Sequence, residues 1–145
     1  MDDIFGADEP TVELLILADH VEVVHGKLYM MGGGWENITV HDFESPVTLN
    51  LAVSVLVPWN ATNRQHTISV AVQDADAETV ANVEGNIVAG RPAHIEHGST
   101  QRSMMSMILP VLFPAPGTYV ITASVNEEIG KRLTFRAIAA HSHTH

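Results

Sequence analysis

Hydrophobic and polar residues alternate with a period of two through most of this chain. The clearest stretch is Val47–Val57, where every odd-numbered position from 49 onward is leucine or valine and the positions between include threonine, asparagine and serine. The stretch 67–73 repeats the pattern with isoleucine or valine at every second position. A period of two places one set of side chains on one face of an extended strand. The pattern therefore predicts β-strands.

Turn residues divide the chain into short strands. His25 and Gly26 separate the apolar stretch 12–24 from Lys27–Met31, which predicts a β-hairpin. The three glycines at 32–34 indicate a bulge or a sharp bend, where the chain can change sheets. Further strands are predicted at 35–40, 79–88, 103–109, 119–125 and 133–139. No window shows a helical period, so we predict an all-β fold, an antiparallel β-sandwich of seven to nine strands with immunoglobulin-like or C2-like character.

The length of 145 residues favours a single domain. Residues 1–10 are acidic and contain glycine and proline, so they are predicted to form a flexible arm. Residues 11–139 are predicted to form the β-sandwich, and residues 140–145 a histidine-rich tail.

Charge and composition narrow the classes of partner. Seventeen acidic residues against seven basic ones give a formal net charge of −10, which disfavours nucleic acid and anionic membranes as partners. The chain has no cysteine, and its first residues lack the basic and apolar regions of a signal peptide. No stretch is long and apolar enough to predict a membrane span. These features predict a cytoplasmic protein.

Three segments resemble those of an uncharacterised family of small bacterial β-sandwich proteins. They are LADHV at 17–21, GKLYMMGGGW at 26–35 and PAPGTY at 114–119. The resemblance extends over about residues 14–135. It implies a domain of unknown function with a sandwich fold, and it transfers no functional residue. The last segment also predicts that Tyr119 either donates a hydrogen bond back to a loop, as in a tyrosine corner, or is an ordinary strand tyrosine.

The nine histidines of the chain are its most conspicuous candidate metal ligands. Alternate residues of an extended segment share a face, so His141, His143 and His145 could converge on a metal ion. The alternative is that they bind metal adventitiously or not at all. A hydrolase with a triad assembled in space is a further alternative, although no Gly-x-Ser-x-Gly motif is present. We expect no cofactor and no enzymatic activity.

The distribution of charge suggests an interface. No Asp, Glu, Lys or Arg occurs in the stretches 45–63 and 103–126. Charged residues are depleted in the centres of protein interfaces, and methionine and tryptophan are enriched there. We therefore expect Trp59, Met104, Met105 and Met107 to contribute to an interface of a non-catalytic binding or assembly module that is homo-oligomeric or bound to a protein partner. The alternative is a sandwich whose own sheets bury these strands and leave a neutral outer face.

Overall fold

The computed structural model describes residues 8–140, which form ten strands and one 3₁₀ turn. The first five strands are β1 Thr11–Ala18, β2 His20–Val24, β3 Lys27–Met31, β4 Asn37–Val40 and β5 Val47–Val57. The remaining five are β6 Gln65–Gln73, β7 Thr79–Val88, β8 Gln101–Val111, β9 Gly117–Val125 and β10 Glu128–Ala139, and the 3₁₀ turn covers Trp59–Ala61. The predicted all-β class is confirmed. No helix among residues 8–140 is long and apolar enough to cross a membrane.

The strands form two packed sheets and a separate hairpin. One sheet has three strands in the order β1-β5-β8, and the other has five in the order β4-β10-β9-β6-β7. Strands β2 and β3 form the hairpin, whose turn at His25 and Gly26 has positive φ angles of 51° and 73°. All neighbours are antiparallel except β4 and β10, which are parallel.

The predicted count of seven to nine strands is wrong because the apolar stretch 12–24 is two strands. The backbone N–H of Asp19 donates to the carbonyls of Met31 and Gly32, at 3.0 and 3.1 Å. These bonds end β1 at Ala18 and start β2 in a different sheet. After the glycines at 32–34 the chain enters β4 of the five-stranded sheet, as the bend predicted there implies.

The main core lies between the two sheets and follows the period of two. On β5 the residues at 49, 51, 53, 55 and 57 are almost fully buried, and on β6 the same holds for Ile68, Val70 and Val72. Strand β9 contributes Tyr119, Ile121, Ala123 and Val125. Each large aliphatic side chain buried in this way contributes about 1.5–3 kcal/mol relative to exposure. The alternation seen in the sequence is thus the inward face of each strand.

An aromatic cluster closes one end of the core. Phe135 of β10 lies within 6.1 Å, centroid to centroid, of Trp35, Phe113 and Tyr119. The Tyr119 hydroxyl donates to the backbone carbonyl of Ala115, four residues upstream. This is the tyrosine corner that was one of the two predictions for Tyr119.

The two long sides of the sandwich differ. On one side β1 packs against β10, and a Cβ placed on Gly130 would lie 2.6 Å from the Cβ of Val12, so this side is closed by direct backbone approach. On the other side lie β7 and β8, the end strands of their sheets.

Near the start of the described chain, the Asn60 side chain donates to the Asp8 carboxylate at 2.9 Å, and Pro10 is buried.

Candidate interaction surface

Strand β8 presents apolar side chains on both of its faces. Met107, Leu109 and Val111 point into the core, and Met107 is 7% exposed. The alternate residues Met104, Ser106, Ile108 and Pro110 lie on the outer face of the three-stranded sheet, away from the five-stranded sheet. Ile108 is 62% exposed, and Leu112, directly after the strand, is 52% exposed. We call these four outer residues, with Leu112 and the unpaired edge of β8, the β8 surface.

The edge of β8 carries few of the features that protect natural sheet edges. Strand β8 pairs with β5 along its whole length, from Gln101 opposite Val57 to Val111 opposite Val47. Within residues 8–140 no strand pairs with its other edge. Edge strands are usually protected by charges, proline, bulges or short length. This one has eleven residues, a regular register and no charge after Arg102, and Pro110 lies near its end. Among residues 8–140, its middle therefore has no hydrogen-bonded neighbour on that side, although β7 of the facing sheet and the hairpin of β2 and β3 lie close to β8.

The hairpin of β2 and β3 covers part of the same outer face. Val21, Leu28 and Met30 pack on Ile16, Ala18 and Ala52 of the three-stranded sheet, forming a second, smaller core. The other face of the hairpin exposes three large apolar side chains, Val24, Tyr29 and Met31. His20 and Glu22 lie beside them and are 2.9 Å apart. These residues line an open groove of about 440 Å³. Both the hairpin and β8 thus expose large apolar side chains.

A polar network fixes the beginning of β8. The guanidinium of Arg102 donates from Nε and Nη2 to the two carboxylate oxygens of Glu13, both at 2.6 Å. The buried Ser54 hydroxyl donates to Glu13 Oε1 at 2.7 Å. The three residues belong to β8, β1 and β5, so one carboxylate links all three strands of the sheet. The hydrogen bonds from Arg102 are the largest cause of a lowered pKa for Glu13, about 2 against an ordinary 4.5.

The four residues predicted for an interface lie in different environments. Trp59 packs within its own chain, where the Arg91 guanidinium lies 4.0 Å from its ring centroid and the His97 ring 4.6 Å away. Met107 is in the core, and Met105 is partly buried against it, because odd-numbered positions of β8 face inward. Their side chains therefore do not form the outer surface. Met104 alone of the four lies half-buried on the β8 surface.

A protein family of unknown function matches most of the chain. The family model for DUF6941, described as a family of unknown function, matches residues 13–138. The chain belongs to the DUF6941 family. This confirms the resemblance to an uncharacterised family seen in the sequence. No curated protein matches the sequence significantly.

Three solved structures resemble parts of this DUF6941 chain at low sequence identity. A glycosyl hydrolase family 2 member from Bacteroides cellulosilyticus has 11% identity and a TM-score of 0.45, with 64% of this chain and 13% of that chain covered. A β-glucuronidase of glycoside hydrolase family 2 has 15% identity and a TM-score of 0.41, with 66% and 10% covered. The Pseudomonas fluorescens alkylpurine DNA glycosylase AlkC, bound to DNA with an abasic site analog, has 13% identity and a TM-score of 0.47, with 90% and 31% covered. The chain thus corresponds to at most about a third of each of these proteins.

The lowered pKa of Glu13 predicts an acid-dependent loss of stability in this DUF6941 protein. A folded-state pKa of about 2 against 4.5 means that the stabilisation is complete above pH 4.5 and is lost as the pH falls towards 2. In Glu13→Gln, we expect the free energy of unfolding to fall less steeply over this pH window than in the original protein. Urea denaturation at several pH values between 2 and 6 measures the slope. Glu44→Gln, at an exposed loop carboxylate, is the control, and equal slopes for the original protein and Glu13→Gln would contradict the prediction.

The other candidate sites of the sequence are not assembled in the described part of this DUF6941 domain. His141, His143 and His145 lie outside residues 8–140, as do residues 1–7 of the predicted arm. Within residues 8–140, no group of three or more His, Cys, Asp or Glu residues is arranged to hold a metal ion. In the same range, no Ser or Thr hydroxyl hydrogen-bonds to a histidine ring. The metal site predicted at the tail histidines therefore stays a prediction, and the described geometry gives no support to the hydrolase alternative.

Sequence reasoning missed His66, which is 1% exposed. Its Nε2 lies 2.7 Å from the carbonyl of Ala61, and its Nδ1 lies 2.9 Å from the side-chain nitrogen of Asn126. Because a carbonyl only accepts, Nε2 carries the proton and Nδ1 accepts from Asn126. The signal was present, since position 66 is in phase with the inward residues 68, 70 and 72 of β6. The predicted strand began one residue too late to show it.

Proposed function

We propose that the chain is a non-catalytic binding and assembly module that associates through the β8 surface, with a copy of itself or with another protein. The observation that carries the proposal is the position of Ile108, which is 62% exposed at the middle of an outer face beside an unpaired strand edge. Apolar surface beside an unpaired strand edge is a feature that favours pairing with another chain.

The energetics favour covering this surface. Burying an isoleucine side chain contributes about 1.5–3 kcal/mol, and Leu112 would contribute a similar amount. The backbone N–H and C=O groups on the free edge of β8 can each pair with an added strand. Strand β8 has no charge after Arg102, so covering its middle removes no charge from water. Arg102 itself is already paired with Glu13.

The charge of the chain limits the class of partner. A formal net charge of −10 opposes binding to nucleic acid or to an anionic membrane, so the proposal names a protein partner. It involves no cofactor. We place the protein in the cytoplasm of a bacterium, a location that suits a chain without cysteine.

A photo-crosslinking experiment in the native cells tests the proposal. A benzophenone amino acid at position 112 reports on contacts of the β8 surface, and the same amino acid at Arg132, on an exposed part of β10, is the control reporter. We expect a specific covalent product from position 112 and none from position 132. Its mass shows whether the partner is a second copy or another protein.

Ile108→Lys, made in the chain that carries the reporter at 112, tests the surface itself. Burying an unpaired ammonium at the contact is costly, so we expect the yield of crosslinked product to fall by about tenfold or more. Thr134→Lys adds the same charge at an exposed position of β10 and is expected to leave the yield unchanged. Equal yields from the two lysine variants, or no product from position 112 above that from 132, would refute the proposed function.

A further inference from the structure

The free edge of β8 is suited to pairing with its own copy. We infer that the partner of the β8 surface is a second copy of this chain, and that the two β8 strands pair antiparallel to give one continuous six-stranded sheet, β1-β5-β8 followed by the same strands of the copy in reverse order. This inference rests on the proposed function and adds the identity of the partner. Two-fold pairing of this kind is a closed arrangement that leaves no further edge of β8 to extend.

Charge limits where a second copy can bind. Two chains that each carry a formal net charge of −10 repel, so a stable contact between them must lie where the surface is uncharged. The stretch 103–111 meets this condition along its whole length. The one charged residue of β8, Arg102, is held by two hydrogen bonds to Glu13 of its own chain. Strand β8 therefore places no like charges opposite each other when it pairs with itself.

The register of such a pair follows from geometry. Directly opposite residues must lie on the same face, so a two-fold axis passes through one residue position of β8. Because β8 runs from Gln101 to Val111, an axis at Ser106 alone lets all eleven residues pair. This register places Met104 opposite Ile108 of the second copy on the outer face. It also places Arg102 opposite Pro110, near the ends, where the missing proline N–H interrupts the fewest hydrogen bonds.

The inner face of β8 gives a second, independent reason. Ser103 and Met105 are only half-buried, although both face the core, because β8 is the last strand of its sheet on that side. With the axis at Ser106, Met107 of the second copy lies opposite Met105. The added strand would therefore complete the burial of an inward-facing methionine and cover the exposed Ile108 on the outer face.

The absence of cysteine from the chain allows a sharp test with single thiols. In an antiparallel pair centred at 106, the two Cα atoms at that position lie about 4.5–5.5 Å apart, which is within disulfide range. We expect purified Ser106→Cys to oxidise to a covalent dimer of twice 15.7 kDa. Oxidation should be about tenfold or more faster than in Thr134→Cys at equal micromolar concentration, because pairing raises the effective thiol concentration.

Mixing two single-cysteine variants tests the register. Met104→Cys and Ile108→Cys should form the mixed disulfide faster than either variant forms its own dimer. Oxidation of Ser106→Cys no faster than the Thr134→Cys control, with a single 15.7 kDa species in sedimentation, would overturn the inference. If that result came with a crosslink from position 112 to a different protein in cells, the inference would fail while the proposed function stood. Loss of both signals would remove the proposed function as well.

Discussion

Replacing Phe135 by alanine is expected to lower the free energy of unfolding by about 3–5 kcal/mol. Phe135 is 1% exposed and is the centre of the aromatic cluster. Its ring centroid lies 6.1 Å from that of Trp35 and 5.9 Å from those of Phe113 and Tyr119. The edge-to-face contacts with Trp35 and Phe113 and the stacked contact with Tyr119 would all be lost, in addition to the transfer free energy of the ring.

The size of this effect also reflects the cavity that the substitution leaves. The neighbouring rings belong to a loop, a strand start and the segment before β4, so they can collapse only by moving separate parts of the chain. Chemical denaturation with a global probe measures the change. Thr134→Ala, at the exposed position before Phe135, should change stability by less than about 0.5 kcal/mol. A loss below about 1.5 kcal/mol for Phe135→Ala would contradict a rigid cluster.

The strands could be predicted from the sequence because each follows a local rule. Alternation fixes which residues of β5, β6 and β9 face inward, and the core confirms it. The turn at His25 and Gly26 was equally local, since both residues adopt the positive φ angles that short hairpin turns require. The point at which one strand ends and the next begins in a different sheet could not be predicted from neighbouring residues. The break at Asp19 depends on hydrogen bonds to Met31 and Gly32, which lie twelve and thirteen residues further along the chain.

The three glycines at 32–34 illustrate the same limit. Their sequence predicted a bend, but it could not show which glycine is required by packing. Gly32 has a φ of +63°, and a Cβ at that position would overlap the Asp19 carboxylate. Gly34 also has a positive φ, of +84°, but nothing lies near the position of its missing Cβ. The difference depends on the side chain of Asp19, which lies between β1 and β2, thirteen residues earlier in the chain.

The candidate surface was only partly predictable for a related reason. The absence of charged residues shows which stretches can be buried away from water, but it does not show what buries them. Ala52 and Ile108 both lie in uncharged stretches on the outer face of the same sheet, yet Ala52 is fully buried and Ile108 is 62% exposed. The hairpin of β2 and β3 covers Ala52, so the chain itself accounts for part of the missing charge on β5. The hairpin also contacts β8, but Ile108 and Leu112 of the β8 surface stay exposed, and this narrows the region in which the interface predicted from the sequence could lie.

His66→Ala is expected to lower the free energy of unfolding by about 2–4 kcal/mol. The ring joins β6 to the 3₁₀ turn through its bond to the Ala61 carbonyl at 2.7 Å. It joins β6 to the turn after β9 through Asn126 at 2.9 Å. Asn126 has a φ of 49°, and its side-chain oxygen accepts from the backbone N–H of Thr67. Alanine would leave the Ala61 carbonyl and the Asn126 amide without these partners, and a cavity beside them.

A double-mutant cycle separates this network from simple loss of volume. Asn126→Ala removes the bonds to His66 and to Thr67, so the combined variant should be less destabilised than the sum of the two single variants, by about 1–2 kcal/mol. Gln65→Ala, at the exposed neighbouring position, is the control for changes at the start of β6. Strict additivity would mean that His66 acts by volume alone. Because His66 belongs to the five-stranded sheet and β8 to the other, the folded single variant should not affect the self-association proposed for β8.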